Sequence, residues 1–491
     1  MKKLIITGLQ KYLALFAFLI VGGFALSACG GGGSDDAAQA DTGDVLITLT
    51  DAEGDFVSYT VDVLSIKLER QDGTQVETLP MNTRVDFAQY TEMTEFLTAA
   101  SVPRGIYVRG SILLDYSNAD IWIEDAAGEA TQVTEYLDAN GVAVNELEVR
   151  ITLDGRNQLP IAPGIPKNLM LDFDLEQSHV VSVADPVSII IDPVFVVEVD
   201  PQRPRIHRTR GPLKQVNVAD NAFEIYIRPF YHRIRIGQRI FGSLRVLTND
   251  ETIYEIDGAT YRGPDGLTTL DTMTQFSAVI SHGNLKFNPL RFEATEVYAG
   301  SSVPGGDMDV IRGTVTSRSV DDQIVVKGAT LFRTDGIIVF NDLVTVQLDA
   351  STTVSKQLNI GTFDKDDISV GQRITVFGMI TNDQVSDLKM TAANGHARMR
   401  ISSVRGPVGV LPGETNYLEI NAGSINGRSI DIYDFTGTGL DGDDAVASSY
   451  EIDTGTLALD NILLDDVVTV RGFPTPFGTA PADFVAQLII E

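Results

Sequence analysis

The sequence predicts an all-β protein, an antiparallel β-sandwich followed by three small β-barrels of OB-like kind. Three observations carry that prediction. Helical periodicity is scarce in the 491 residues; short runs rich in Val, Ile, Leu and Tyr alternate with Gly, Asn, Asp and Pro; and after Pro201 a set of landmarks recurs at roughly the length of one small domain.

The chain begins Met1-Lys2-Lys3, continues in an apolar run from Tyr12 to Leu26 broken only by Gly22 and Gly23, and reaches Leu26-Ser27-Ala28-Cys29. A membrane-crossing helix needs about 20 apolar residues for a core of roughly 30 Å. This run is shorter and ends in small residues, as a cleaved signal peptide does. Leu-Ser-Ala-Cys resembles the lipobox of bacterial lipoproteins, which implies cleavage between Ala28 and Cys29, a diacylglyceryl thioether on Cys29 and acylation, typically with palmitate, of the new amine. One acyl chain holds a membrane weakly, whereas several on one residue anchor stably. Residues 1–28 are thus expected to be removed, and Gly/Ser/Asp-rich residues 29–43 to form a flexible tether. Gly30 after the cysteine resembles lipoproteins sorted to the outer membrane of Gram-negative envelopes.

In the body, strands are expected at Asp44–Leu49, Phe56–Leu68, Ile106–Tyr116, Glu146–Leu153 and Asn168–Glu176, giving a sandwich over residues 44–200. Thr91 to Ala100, with Met93, Phe96 and Leu97 at turn spacing, is the best case for a helix. Leu49-Thr50-Asp51-Ala52, Val85-Asp86-Phe87, Val102-Pro103-Arg104-Gly105-Ile106-Tyr107, Leu171-Asp172-Phe173-Asp174 with Ser178, and Pro193-Val194-Phe195 together make this region resemble a bacterial family, domain of unknown function 4382. The resemblance implies a lipoprotein β-sandwich and supplies no catalytic residues.

Arg210-Gly211-Pro212, Arg312-Gly313-Thr314 and Arg405-Gly406-Pro407 open three modules, at 201–305, 306–400 and 401–491. A second landmark follows in each: Tyr254-Glu255-Ile256-Asp257, Val346-Gln347-Leu348-Asp349 and Tyr450-Glu451-Ile452-Asp453. The modules close on Arg291–Ala294, Leu388–Ala392 and Asp483–Ala486. Before the closing strands of the last two stand Val370–Gly378 and Asp466–Gly472, whereas the first places Gly237-Gln238-Arg239-Ile240 earlier. The modules resemble the barrel repeats called domain of unknown function 5666. Closed barrels remove exposed strand edges.

Formal charge is −30, and loss of Lys2, Lys3 and Lys11 with the signal takes it to −33. Such a surface repels phosphates, which argues against nucleic acid as a partner. With Cys29 the sole cysteine, no disulfide framework exists. His179, His207, His232, His282 and His396 are the only histidines, none in a zincin pattern, and no G-x-S-x-G elbow occurs. Gly437-Thr438-Gly439-Leu440-Asp441-Gly442 has nucleotide-loop spacing, but its carboxylates and the strand that follows oppose phosphate binding. No catalytic residue is assigned.

Three constellations remain. Alternation in Leu171–Glu176 sets Asp172, Asp174 and Glu176 on one strand face, a row able to hold Ca²⁺ or supply the acid and base of glycoside cleavage, or simply a solvated face. Trp122, the only tryptophan, shares its face with Asp120 and Glu124 and either contacts a ligand such as a sugar ring or covers a domain junction. From Arg203 to Arg239 stand nine Lys or Arg against two acids. Arg203, Arg205, Arg208, Arg210, Arg233 and Arg235 form either a docking patch for anionic lipid, lipopolysaccharide or an acidic partner, or a set paired with the acidic sandwich. The leading expectation is a non-enzymatic binding or scaffold module in the cell envelope, joined to the membrane by its lipid and meeting an envelope protein, a glycan or lipopolysaccharide, with its side of the membrane left open. The alternatives are a carbohydrate-active or metal-dependent enzyme using residues 172–176, and a Ca²⁺-stabilised surface adhesin.

Overall fold

The computed structural model describes residues 41–490 apart from 52–55, 91–92, 125–128, 202, 204, 229–240, 288 and 414–416. Ala28, Cys29, His232, Arg233, Arg235 and the Gly237–Ile240 run therefore lie outside the described residues. Within them the chain is nearly all β, as the alternating sequence predicts.

One sandwich sheet places Thr42–Asp51 between Thr94–Pro103, its antiparallel neighbour, and Lys167–Phe173, which runs parallel to it; Phe195–Val199 extends the sheet beyond Lys167–Phe173. The other is built on two long strands, Phe56–Arg70 and Gly105–Glu124, paired from Phe56 opposite Ile123 to Arg70 opposite Tyr107. Tyr59, Phe87 and Phe173 meet edge to face inside, an arrangement that aromatic rings favour.

The expected helix over Thr91–Ala100 is a strand, Thr94–Pro103. Thr94 through Thr98 are all buried, because this strand is covered on both faces. A doubly covered strand loses its polar alternation, and its apolar spacing then imitates a helix.

After Pro201 three five-strand rings follow, each in the order 1-2-3-5-4-1 with the third and fifth strands parallel, the connectivity of an OB-type barrel. The second ring uses Asp309–Arg318, Gln323–Phe332, Ile338–Gln347, Arg373–Asn382 and Leu388–Arg400. The third uses Ser402–Val410, Leu418–Ile420, Tyr450–Asp453, Val467–Pro474 and Phe484–Ile490. The first uses Ile206–Asn217, Ala222–Tyr226, Ser243–Leu247, Ala278–Lys286 and Arg291–Ala299. This first ring belongs to the large sandwich sheet, because Ile206–Asn217 also pairs in parallel with Thr94–Pro103, and sandwich and first barrel share one apolar core.

The Arg-Gly landmark has a steric basis. A Cβ on Gly211 would lie 1.8 Å from the Tyr226 carbonyl oxygen, on Gly313 2.7 Å from that of Lys327, and on Gly406 2.0 Å from that of Asn421. Each glycine sits where the first strand bends beneath the second strand or the residue just past it. A second glycine recurs on the fourth strand under a carbonyl of the fifth: Gly283 under Glu293, Gly378 under Thr391 and Gly472 under Val485, at 2.1, 2.3 and 2.0 Å. Pairing register shifts at all three, the mark of a β-bulge. In the first barrel the counterpart of Val376-Phe377-Gly378 is thus Ser281-His282-Gly283. Tyr254–Asp257 does not correspond to Val346–Asp349. The strand Ile253–Ile256 runs parallel to the end of Arg291–Ala299, as Thr353–Lys356 does to the end of Leu388–Arg400. Both follow the same turn, in which Thr252 and Thr352 accept from the backbone N–H of Asn249 and Asp349.

The join of sandwich and first barrel is ionic. Glu95 has no exposure and accepts from the Nε of both Arg208 and Arg210, themselves 3% and 4% exposed, with the Arg210 contact at 2.7 Å. Arg208 also lies over the Tyr90 ring. Removing one partner of a buried ion pair costs about 3–5 kcal/mol, because the survivor keeps its desolvation penalty. Glu95→Gln is expected to lower the unfolding free energy of the sandwich and first-barrel transition by an amount of that order, read from urea titration followed by far-ultraviolet circular dichroism. Gly406→Ala, which forces a Cβ against the Asn421 carbonyl, is expected to cost at least about 2 kcal/mol, as overpacking does, with proteolysis localising the loss to residues after 401.

Candidate functional site

The three sequence constellations take different positions. Asp172, Asp174 and Glu176 do not form a row, because the strand ends at Phe173 and the chain turns into the short helix Leu175–Ser178. Asp174 is buried as its N-cap, accepting from Gln177 N at 2.9 Å; Glu176 is exposed; Asp172 is partly buried on the strand. Among the described residues no group of three His, Cys, Asp or Glu side chains is arranged to hold a metal ion. The row proposed for Ca²⁺ or for glycoside cleavage is corrected accordingly: capping geometry overrides the alternation.

Trp122 keeps the predicted face, with Ile121 and Ile123 buried on the other. That face meets the barrels. The Trp122 ring lies 5.1 Å from Phe340 of the second barrel and donates Nε1–H to Asp120 at 2.7 Å. Glu124 pairs with Arg428 of the third barrel, which also reaches Asp342 of the second at 3.3 Å. Lys327 adds bonds to Glu129 and Asp342. Asp120, Trp122 and Glu124 are therefore spent on a three-way junction.

Among the predicted docking arginines, Arg203 is exposed and Arg205 is half-buried, donating to Thr50 Oγ1 at 2.9 Å. Arg208 and Arg210 turn inward to Glu95 and offer no surface charge, which corrects their place in the patch. Its cause is the shared strand: two arginines at i and i+2 point the same way, here into the sandwich.

The histidines are structural in the same sense. His179 donates Nδ1–H to the Leu175 carbonyl at 2.8 Å and contacts Tyr59 OH through Nε2 at 2.7 Å; burial lowers its pKa to about 4. His207 donates to the Arg205 carbonyl and is likewise lowered to about 4 by burial.

A buried polar cluster that sequence reasoning missed joins the first two barrels. Arg398 donates to Glu255 through Nε at 2.8 Å and through Nη2, also reaches the Ser302 carbonyl at 2.8 Å, and stacks 3.9 Å over the Tyr298 ring. Ser355 Oγ lies 2.6 Å from Glu255 Oε2 and 2.9 Å from His396 Nε2. Burial raises the Glu255 pKa, but the charge and hydrogen bonds of Arg398, with His396, outweigh it and hold the carboxyl well below its ordinary value. Ser, His and Glu meet here without the triad arrangement, which puts the acid on Nδ1 and frees the hydroxyl for attack. The acid binds the serine directly, Nδ1 faces Thr353 Oγ1 at 2.9 Å, and Ser355, His396 and Glu255 are 3%, 8% and 3% exposed. The cluster is a lock between barrels. Glu296 extends it, accepting from Gln357 Nε2 and Leu358 N at 2.8 and 3.0 Å and contacting His282 at 3.1 Å.

Beside this lock a cleft of about 390 Å³ opens between the same two barrels, lined by apolar residues together with Arg210, Arg228 and Arg333. Its size is that of a small-molecule site, which spans roughly 300–1,000 Å³.

Residues 42–193 match a family described as Domain of unknown function (DUF4382). No curated protein matches the chain. The motif residues of the DUF4382 region are architectural in this fold. Asp86 accepts from Tyr59 N at 2.8 Å, Tyr107 donates to the Pro103 carbonyl at 2.8 Å across the turn at Gly105, and Ser178 accepts from Val194 N at 2.8 Å.

One perturbed acid lies apart from these clusters. Burial, with the Glu451 and Asp443 charges, raises Asp483 to about 7 despite the N–H it accepts from Glu451. A carboxyl whose folded pKa exceeds its unfolded value stabilises the fold at acid pH, and that stability is lost as pH rises from about 4 toward 7. Asp483→Asn is expected to match the parent in thermal unfolding near pH 4 and to exceed it at pH 8.

Proposed function

We propose that the chain is a lipid-anchored protein of the bacterial cell envelope, acting as a non-enzymatic binding or scaffold module. The observation that carries this reading is the succession of Met1-Lys2-Lys3, an apolar run, Leu26-Ser27-Ala28-Cys29 and a Gly/Ser/Asp tether. The body supports it. The described histidines and the Ser355–His396–Glu255 group are engaged in internal contacts, and the former ligand candidates Trp122 and Glu124 hold barrels to sandwich.

In this reading Cys29 carries the diacylglyceryl and palmitoyl chains, Gly30 directs the protein to the outer membrane, and the three barrels are repeats of the kind called domain of unknown function 5666. The recurrence of both glycine positions in all three rings favours that assignment. Partners are an envelope protein, a glycan or lipopolysaccharide, and the net charge disfavours nucleic acid.

The test is anchoring. In a Gram-negative host the parent chain is expected to incorporate an alkyne-tagged palmitate and to sediment with outer membrane, and Cys29→Ser to do neither. A Cys29→Ser protein still labelled and sedimenting would remove the reading, and protease added to intact cells then assigns the side of the membrane.

A further inference from the structure

The first two barrels meet through matching faces. Ile253 stands opposite Glu296 in the first, and Thr353 opposite His396 in the second. Glu255 therefore corresponds to Ser355, Glu296 to His396 and Tyr298 to Arg398. Across the join, Ser355 Oγ donates to Glu255 Oε2 at 2.6 Å, and Arg398 stacks 3.9 Å over the Tyr298 ring. Both contacts link a residue to its own counterpart, the signature of a two-fold axis between the barrels. The flanking contacts agree. Glu296 accepts from Leu358 N at 3.0 Å, and a Cβ on Gly258, the counterpart of Leu358, would lie 3.9 Å from His396 Nδ1.

The third barrel carries the same face. Beyond its bulge Leu488 stands opposite Arg471, as Glu296 does opposite His282 and His396 opposite Phe377. Leu488 thus takes the place of Glu296 and His396, and Ile490 that of Tyr298 and Arg398. Those four residues are at most 8% exposed, whereas Leu488 and Ile490 are 48% and 43% exposed. Val467, two residues before the Thr469 that pairs with Ile490, is exposed as well and extends the apolar surface. The flanking strand Ile253–Ile256 or Thr353–Lys356 has no counterpart here. Residues 454–466 contain no strand, and among the described residues Leu488–Ile490 pair on one side only. An apolar face that is also an open strand edge is a surface built for association.

The residue types on each face state its partner. The first two barrels differ in sequence and meet through unlike groups, the Glu255 carboxylate against the Arg398 guanidinium. A face that meets its own copy across a two-fold axis has no such option, because a charge at the axis faces its like. Apolar side chains are complementary to themselves. We propose that the third barrel pairs with the third barrel of a second copy of this chain, Ile490 against Ile490 near a two-fold axis with Leu488 beside it. The pairing reproduces between two molecules the relation that the first two barrels have within one, and it does not depend on how the chain is anchored.

The experiment uses residues 29–491 as Cys29→Ser, so that no acyl chain drives association. Sedimentation velocity along a dilution series is expected to show monomer and dimer and nothing larger, since a two-fold contact closes on itself. Ile490→Lys and Ile490→Glu each set like charges face to face, and each should weaken the dimer at least about a hundredfold. An equimolar mixture of the two should regain it, because unlike charges then meet across the axis. Ile490 is exposed in the single chain, so circular dichroism should be unchanged in both variants, and Val320→Lys, at an exposed apolar residue of the second barrel, should leave the dimer intact. A parent chain that stays monomeric up to about 0.1 mM, a dimer that Ile490→Lys leaves intact or that Val320→Lys also dissociates, or a mixture of the two charged variants that remains monomeric would overturn the proposal. None of these outcomes bears on the anchoring test, which is read from lipid labelling.

Discussion

A single carboxylate, Glu95, organises the join on which the rest of the molecule is built. Its strand is paired with Ile206–Asn217 through only two residue positions, His207 opposite Thr94 and Arg208 opposite Glu95. So short a parallel ladder does not specify register unaided, since a slip of one residue turns every side chain over. Two arginines closing on one buried acid permit one register. The ionic group costs desolvation and contributes little net stability, yet it selects the arrangement in which sandwich and first barrel condense around a common core.

From that join the remaining barrels are placed by polar contacts together with apolar ones, Phe473 of the third barrel packing into the core of the second and Val370, just before the strand Arg373–Asn382, into that of the third. The second and third barrels have cores of their own. Arg398 and Glu255 hold the second to the first, and Arg428 draws the third toward both Glu124 and Asp342. Asn426 reaches Gly371 and Thr314 across the last boundary. Each polar contact uses charge or amide groups whose partners lie far away in sequence, and each demands a particular geometry. The chain therefore folds back on itself, the long sandwich strand Gly105–Glu124 meeting residues more than two hundred positions later.

Much of this fold was legible in the sequence because its signals are local. Alternation marked most strands, and Gly406 and Gly378 announced the recurrent bends. Thr94–Thr98 misled because burial on both faces erased the alternation, and Asp174 because a cap ends the strand at Phe173 while the alternating pattern continues to Glu176. The first barrel was misaligned at Tyr254 because the true counterpart of Val346–Asp349, Val246–Asn249, shares only its valine with that landmark. The candidate site was less legible still. Arg228 and Ile280 stand more than fifty residues apart, and only the ring closure of the first barrel brings them to one cavity. Arg208 and Arg210 read as surface charge because a sequence does not reveal which face of a shared strand is covered.

The parallel partnership of Thr42–Asp51 with Lys167–Phe173 has a temporal consequence. The first strand of the body cannot complete its pairing until more than a hundred further residues have emerged, and loop closure over that span precedes any gain from the ladder. A chain delivered from its N-terminus thus presents Leu46, Ile47 and Leu49 unprotected for as long as the intervening sequence takes to arrive. Its early passage is an interval of exposure to aggregation, in which a chaperone that covers this strand protects the yield of folded chain.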